Sequence, residues 1–382
     1  MPKYLLPLCA IAALAAVSPK AKQIHDSAIV IDTHMDTLQR VLLKHADLGV
    51  RSKNGQADLP RLREGGVKAQ VFAVWVDPMY APYRSARRTL QLIDAMQSVL
   101  KQYPDRVELA QSASDIRRIA RSGKLAALMG IEGGHAIEND LALLRMYRQL
   151  GVIYMTLTHS NTNDWADSST DAPRSHGLSP FGREVVKEMN RIGMLVDISH
   201  VSDETVRAVL ATSTKPVIAS HSSCRALCNH PRNLSDDLLR AIGQKGGYIG
   251  INFYSAFVDQ NFKNRASGTD QLKVFNSKPK VDPDKLDQVA AERANIPERT
   301  DIPRPPFSIL LDHLDHAVKV AGIDHVGIGS DLDVVPTPEG MDDVTDFPKI
   351  TEGLLQRGYS EQDIRKILGE NFLRVLQQAT GK

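Results

Sequence analysis

The feature that most constrains the fold is a rhythm. Eight short runs of apolar and β-branched residues recur along the chain, separated by longer amphipathic stretches. They are Ile29–Thr33, Ala69–Val74, Leu125–Ile131, Tyr154–Thr158, Leu195–Ser199, Val217–Ser220, Tyr248–Asn252 and Val326–Gly329. Most are continuously apolar, as expected of parallel strands buried on both faces. Helical patterns lie between them, among them Arg84–Tyr103, Ser114–Ser122, Asp140–Leu150, Gly182–Ile192, Ser202–Thr212 and Asp236–Gln244, with Ser114, Ser202 and Ser235 in capping position. Eight strands alternating with helices favour an α/β fold closed as a (β/α)8 TIM barrel over a doubly wound sheet. The chain of 382 residues exceeds a minimal barrel, and the excess gathers in a polar insertion between strands 7 and 8, about 258–306, ending in Pro303-Arg304-Pro305-Pro306.

The N-terminus reads differently. Lys3 precedes an apolar run from Tyr4 to Val17 and a polar break at Ser18-Pro19-Lys20. That is the form of a secretory signal peptide, about residues 1–21, with cleavage between Ala15 and Ala21 and a single hydrolase domain over 22–382. A periplasmic or secreted location is expected, with no membrane anchor in the mature chain. The net charge of +2 and the lack of long like-charge blocks exclude a nucleic-acid-binding surface. Cys9 leaves with the leader. Cys224 and Cys228 remain, too few for a disulfide framework and without the spacing of a structural zinc site.

The chemistry gathers at the ends of the expected strands. His34, His159, His200 and His221 each follow an apolar run, and Glu132 and Asp331 share that placement. In a closed barrel the C-terminal strand ends converge on one face. Buried histidines and carboxylates brought together need partners, and a metal pair supplies them. His34 and Asp36, one residue apart on extended backbone, can point the same way. One ion would take His34, Asp36 and Glu132, and the second Glu132, His200 and His221. Glu132 then bridges two Zn2+ ions roughly 3.5–4 Å apart. A lone His-x-Asp is weak evidence; the ordered set is strong.

The set resembles the membrane (renal-type) dipeptidase family of dinuclear zinc peptidases, within the amidohydrolase-like barrel group. The matching motifs are Thr156-Leu157-Thr158-His159-Ser160-Asn161, Val196-Asp197-Ile198-Ser199-His200, Ser220-His221-Ser222-Ser223, Pro231-Arg232-Asn233, Ile251-Asn252-Phe253-Tyr254 and Ile328-Gly329-Ser330-Asp331, in order from about Ile24 to Leu376. The resemblance implies the same five ligands, and it adds roles. His159 contacts substrate and steadies the tetrahedral intermediate, Arg232 binds the substrate's terminal carboxylate, and Asp331 handles protons. It implies hydrolysis of free-carboxylate dipeptides, L-L and L-D, by a metal-bridging hydroxide, and a homodimer, on which the residues themselves are silent. Mn2+ or Co2+ would suit the same ligands.

Two departures stand out. Phe257 occupies a place where the family often carries a carboxylate-binding tyrosine, and the cysteines cannot reproduce the vertebrate disulfides. The competing reading is a related barrel amidohydrolase acting on another amide, lactam or ester. Several of those bridge their metals with a carboxylated lysine, for which Glu132 and His159 stand here. His25, His45, His176, His230, His313, His316 and His325 read as surface or packing residues. His135 is read as packing too, with support of the site as the sharper option. Asp333 either orients Asp331 or caps a turn.

Overall fold

In the computed structural model, residues 17–266, 281–294, 302–333 and 335–381 are described. Most of the expected leader, and parts of the 258–306 insertion, lie outside the described residues. Among the described residues nine strands form one sheet: β1 (Val30–Met35), β2 (Val67–Trp75), β3 (Val107–Leu109), β4 (Leu125–Glu132), β5 (Val152–Thr156), β6 (Leu195–Asp197), β7 (Ile218–Ala219), β8 (Tyr248–Ile251) and β9 (Val326–Ile328). The order β2-β1-β9-β8-β7-β6-β5-β4 is closed by pairing of β2 with β4, which makes an eight-stranded parallel barrel. The ninth strand, β3, has no counterpart in the sequence reading. Only three residues long, it pairs with the start of β4 at Val107↔Leu125, on the edge that β5 takes over from Met129.

All eight expected runs form barrel strands, but several end sooner than their apolar patterns. Past the strand ends, His200 and Asp331 adopt left-handed backbone, with φ of 69° and 62°. Non-glycine residues rarely sit there, and such positions cluster at functional sites.

The helices follow their patterns closely: Ser85–Gln102, Ala113–Arg121, Leu141–Gln149, Pro180–Ile192, Asp203–Thr212 and Asp236–Gln244. Two caps differ from expectation. Ser112, not Ser114, accepts from the Asp115 amide, and the Ser235 hydroxyl turns to Asp237 rather than capping the backbone. Ser202 caps as read, accepting from the Thr205 amide at 3.1 Å. A further helix, Pro19–Ser27, packs Ala21, Ile24 and His25 against the body. Ser18 before it gives both its amide and its hydroxyl to Glu352.

Glycines make room inside the barrel at two points that matter. A Cβ on Gly130 would come within 2.1 Å of the Tyr154 ring, and one on Gly327 within 2.5 Å of the Tyr248 hydroxyl. Each tyrosine thus lies against backbone of the neighbouring strand. Between β8 and β9 the chain leaves the barrel through helices Ser255–Val258 and Gln260–Ala266, and it includes helix Leu286–Ala294, whose Leu286 and Ala290 are buried.

Candidate metal centre

Parallel register sets the level of the site. Trp75 pairs with Glu132, Glu132 with Thr156, and Thr156 with Asp197. Glu132 therefore sits on a continuous ring of strand-end residues, its carboxylate buried. Around it the structure gathers the residues named from the sequence. His34 Nε2 lies 3.3 Å from Glu132 Oε2, 3.7 Å from Asp36 Oδ2 and 3.8 Å from Asp331 Oδ1. On the other oxygen, Glu132 Oε1 is 2.8 Å from His200 Nε2, 3.3 Å from His221 Nε2 and 3.8 Å from His159 Nε2. The two oxygens of one carboxylate thus divide the cluster into two sides. The His34 and His221 rings stack at 3.7 Å, and the His200 and His221 Nε2 atoms are 3.0 Å apart. Three groups of ligand atoms close enough to share an ion result: His34, Glu132 and His221; Glu132, His159 and His200; His34, Asp36 and Asp331. His159, read as a substrate contact, lies farther from Glu132 than the three ligand histidines, at 3.8 Å, and Trp75 packs beside its ring at 5.4 Å.

The electrostatics of this cluster call for positive charge. Burial, then the neighbouring Glu132, holds the Asp36 carboxyl well above the usual range, and burial likewise raises Glu132. Burial opposes charge on His34, yet Glu132, Asp36 and Asp331 outweigh it and lift its pKa to about 10. His159, His200 and His221 are pushed well below the ordinary histidine value by burial. Buried carboxyl groups and imidazoles that burial keeps from taking up charge are thus crowded together with little positive charge among them. His34 Nε2, fully buried, meets no partner with hydrogen-bond geometry among the described residues. Nitrogen and carboxylate donors so crowded, with an orphaned buried nitrogen among them, fit a metal centre.

Arg232 reaches the same cup from the loop after β7. Its Nη2 donates to the His221 carbonyl at 3.1 Å, while Nε and Nη1 are buried without a partner among the described residues. Burial lowers its pKa to about 10. Its guanidinium lies 5.3 Å over the Phe257 ring, the position noted as a departure, and His230 packs on the other partner of that stack at 4.5 Å from Phe257. Asp331 is steered by Asn252, whose amide donates to Oδ2 at 2.8 Å, leaving Oδ1 toward His34. Asp333 does not touch Asp331's carboxylate. It binds Arg40 at 2.9 Å and Thr37, clamping a loop. His135 Nε2–H donates to the Val76 carbonyl at 2.9 Å, away from the ligand cluster, and burial lowers its pKa to about 4. Cys224 and Cys228 are both free, each donating to a distant carbonyl.

Sequence reasoning missed several supporting residues: Tyr154, Ser220, Asp197 and Asn252 as hydrogen-bond partners, and Asp32, which accepts from Ser330 at 2.6 Å beneath Asp331. The available signal was a polar residue inside an otherwise apolar run, next to a ligand.

The family model described as Membrane dipeptidase (Peptidase family M19) matches residues 18–381. Dipeptidase tcpJ of Claviceps purpurea (strain 20.1) is 38% identical over 334 residues, 85% of this chain and 69% of that protein. Among solved structures, the probable dipeptidase PvdM from Pseudomonas aeruginosa superposes with a TM-score of 0.81 at 27% identity, covering 95% of this chain and 98% of that one. A metallo peptidase from Rhodobacter sphaeroides, liganded with a phosphinate mimic of the dipeptide L-Ala-D-Ala, does so at 0.75 and 25% identity, covering 92% and 100%. With a metal-ligating cluster at the strand ends of a parallel barrel, this chain belongs to the membrane dipeptidase family, peptidase family M19, and is a metallo-dipeptidase.

Proposed function

We propose that the enzyme hydrolyses dipeptides bearing a free C-terminal carboxylate, L-L and L-D, with two zinc ions. His34, Asp36 and Glu132 would hold one ion, and Glu132, His200 and His221 the other. The observation that carries the reading is Arg232: a buried guanidinium with two unpartnered N–H edges in the same cup as the ligand cluster. Such a group is costly to bury and becomes paired when a carboxylate arrives, with two parallel hydrogen bonds. A longer peptide would place no charge there. Acceptance of L-D substrates is supported by the dipeptide mimic bound to the Rhodobacter sphaeroides relative.

When bound, a zinc pair acidifies water toward neutral pH and polarises the scissile carbonyl. The chain's own groups do the rest. His159, kept neutral by burial, donates from Nε2–H to the oxyanion. Asp331, fixed at Oδ2 by Asn252, has Oδ1 free to take a proton and deliver it to the leaving amine. Arg232 holds the carboxylate and so fixes the register of the peptide bond.

Export belongs to the same proposal. Cleavage of the leader before Ser18, within the expected window from Ala15 to Ala21, is supported by the contacts of Ser18 with Glu352, and the intact mass of exported protein tests this.

The deciding experiment is hydrolysis of L-L, L-D and D-L dipeptides, an amidated dipeptide and a tripeptide, first metal-free and then with zinc restored. Zinc-dependent cleavage of the free dipeptides, sparing the amide and the tripeptide, is expected. If the zinc-loaded enzyme left every dipeptide intact, the substrate reading would fall, and lactam and ester substrates would be screened instead.

A further inference from the structure

The four imidazoles around Glu132 are not held alike. His34 Nδ1 lies 2.8 Å from the Tyr154 hydroxyl, which itself lies 3.0 Å from the Thr33 carbonyl. A carbonyl only accepts, so the single phenolic hydrogen goes to Thr33, and the phenol oxygen accepts from His34 Nδ1–H. His221 is held by a different relay. Its Nδ1 is 2.7 Å from Ser220 Oγ, which is 2.6 Å from Asp197 Oδ2. Asp197 also accepts from the amides of Ser199 and Ser220 and from the Thr156 hydroxyl. A carboxylate so surrounded by donors takes the Ser220 hydrogen, and the Ser220 oxygen accepts from His221 Nδ1–H. His159 and His200 have no such support: the Nδ1 of each is buried without a partner among the described residues.

We propose that Tyr154 and the Ser220–Asp197 pair are positioning residues that hold His34 and His221 through their Nδ1–H groups, so that each directs Nε2 at its metal. Both Nε2 atoms face Glu132 oxygens at 3.3 Å, so that a cation would sit between nitrogen and carboxylate on each side. Each metal position then has one preorganised imidazole, His34 on one side and His221 on the other, and His200 settles when the ion binds. The seat of Tyr154 is built in as well, because its ring occupies the space that a side chain at Gly130 would fill. The two locks differ in charge. A neutral phenol backs His34, whereas an anion acting through a hydroxyl backs His221 and makes it the stronger donor.

The proposal rests on the metal-pair reading, and the test separates the two. Zinc affinity and stoichiometry are measured by chelator competition on the metal-stripped full chain of wild type, Tyr154→Phe, Ser220→Ala and Ser220→Thr. Thermal unfolding of the metal-free forms serves as the fold control. Wild type is expected to bind two ions. Losing an outer partner typically costs 10–100-fold in affinity; Tyr154→Phe should weaken one ion by roughly 10-fold and Ser220→Ala the other by nearer 100-fold. Ser220→Thr, which keeps the hydroxyl, should restore binding, and activity of Tyr154→Phe should recover in excess zinc with KM unchanged. Two ions bound by folded variants with wild-type affinity would overturn the locks alone. So would Ser220→Thr binding as weakly as Ser220→Ala. Fewer than two ions in wild type would overturn the metal pair and the locks with it. If Ser220→Ala does not fold, Ser220→Cys, close in size and a poor donor, carries the same measurement.

Discussion

The mouth of the barrel is built in two ways, and the halves behave differently. His34 and Glu132 lie on strands β1 and β4, and His200 and His221 follow β6 and β7 within three residues, so strand pairing sets the depth of this half. Arg232 stands on a loop well beyond β7, and side chains must hold that loop in place. Asn233 donates to the Cys228 and Phe257 carbonyls at 2.8 and 2.7 Å. His313 accepts from the Cys224 amide at 3.1 Å through Nδ1 and donates to the Val258 carbonyl at 3.0 Å through Nε2. Strand-borne groups are thus placed by backbone pairing, and loop-borne groups by a few buried polar clamps. The first should tolerate conditions that loosen the second.

The strand-borne half breaks most sharply at Glu132. Glu132→Gln keeps the shape and removes the shared charge. Zinc content should fall below two ions, and hydrolysis should drop by at least about 10³-fold, beyond the 10–100-fold typical of outer partners. The metal-free variant should unfold no earlier than wild type, because burial already disfavours the Glu132 carboxylate. Calorimetry with metal analysis checks both. On the loop-borne side, Arg232→Met should leave zinc binding intact while kcat/KM for free dipeptides falls by roughly 10²-fold or more, the value of two charge-assisted hydrogen bonds at about 1.5 kcal/mol or more each. The amidated dipeptide should lose little further. If zinc binding fell along with it, the two halves would not be separable.

The same division governs what was legible in the sequence. Apolar runs with a histidine or acid at their ends mark strand-borne ligands, because period and position along a barrel strand imply location. Glu132, His34, His200 and His221 were accessible that way. Arg232 has no periodic signal, and only its resemblance to a known motif singled it out. The strand β3 was hidden because three residues carry no pattern. Tyr154 and Asp197 were read as strand filling or passed over. Their roles depend on which neighbour lies across the barrel, and that is set by register rather than by local sequence. His313 was rightly read as a packing residue, yet what it packs together, residues 224 and 258, could not be seen without the fold.

Acid should loosen the loop-borne half through His313. Burial lowers the His313 pKa to about 4, from about 6.5 in an unfolded chain. The folded state therefore binds this proton less readily than the unfolded state. The contribution is intact above pH 6.5 and is lost as pH falls from 6.5 toward 4, by up to about 3 kcal/mol at the lower end. Hydrogen exchange at pH 7 and pH 4.5 should show amides near Cys224 losing protection while β4 and β5 keep theirs. Equal loss in both regions would break the comparison.

The smallest effect is expected where the excursion after β8 returns to the rim. Asp287, on helix Leu286–Ala294, accepts from the Tyr80 hydroxyl at 2.9 Å and faces Arg87 at 3.3 Å and Arg88 at 3.9 Å. Its side chain is 48% exposed, so these pairs are screened by solvent and salt. Leu286 and Ala290, at 5% and 7% exposure, are the buried part of the contact. If apolar burial holds this helix, Asp287→Asn should cost less than about 1 kcal/mol and shift Tm by at most about 2 °C. Limited proteolysis of residues 281–294 should then change little between low and high salt. Rapid cleavage of the variant at low salt, matched by wild type at high salt, would mean that ion pairs hold the helix. The loop-borne half would then divide again, into a part fixed by buried clamps and a part fixed by surface charge.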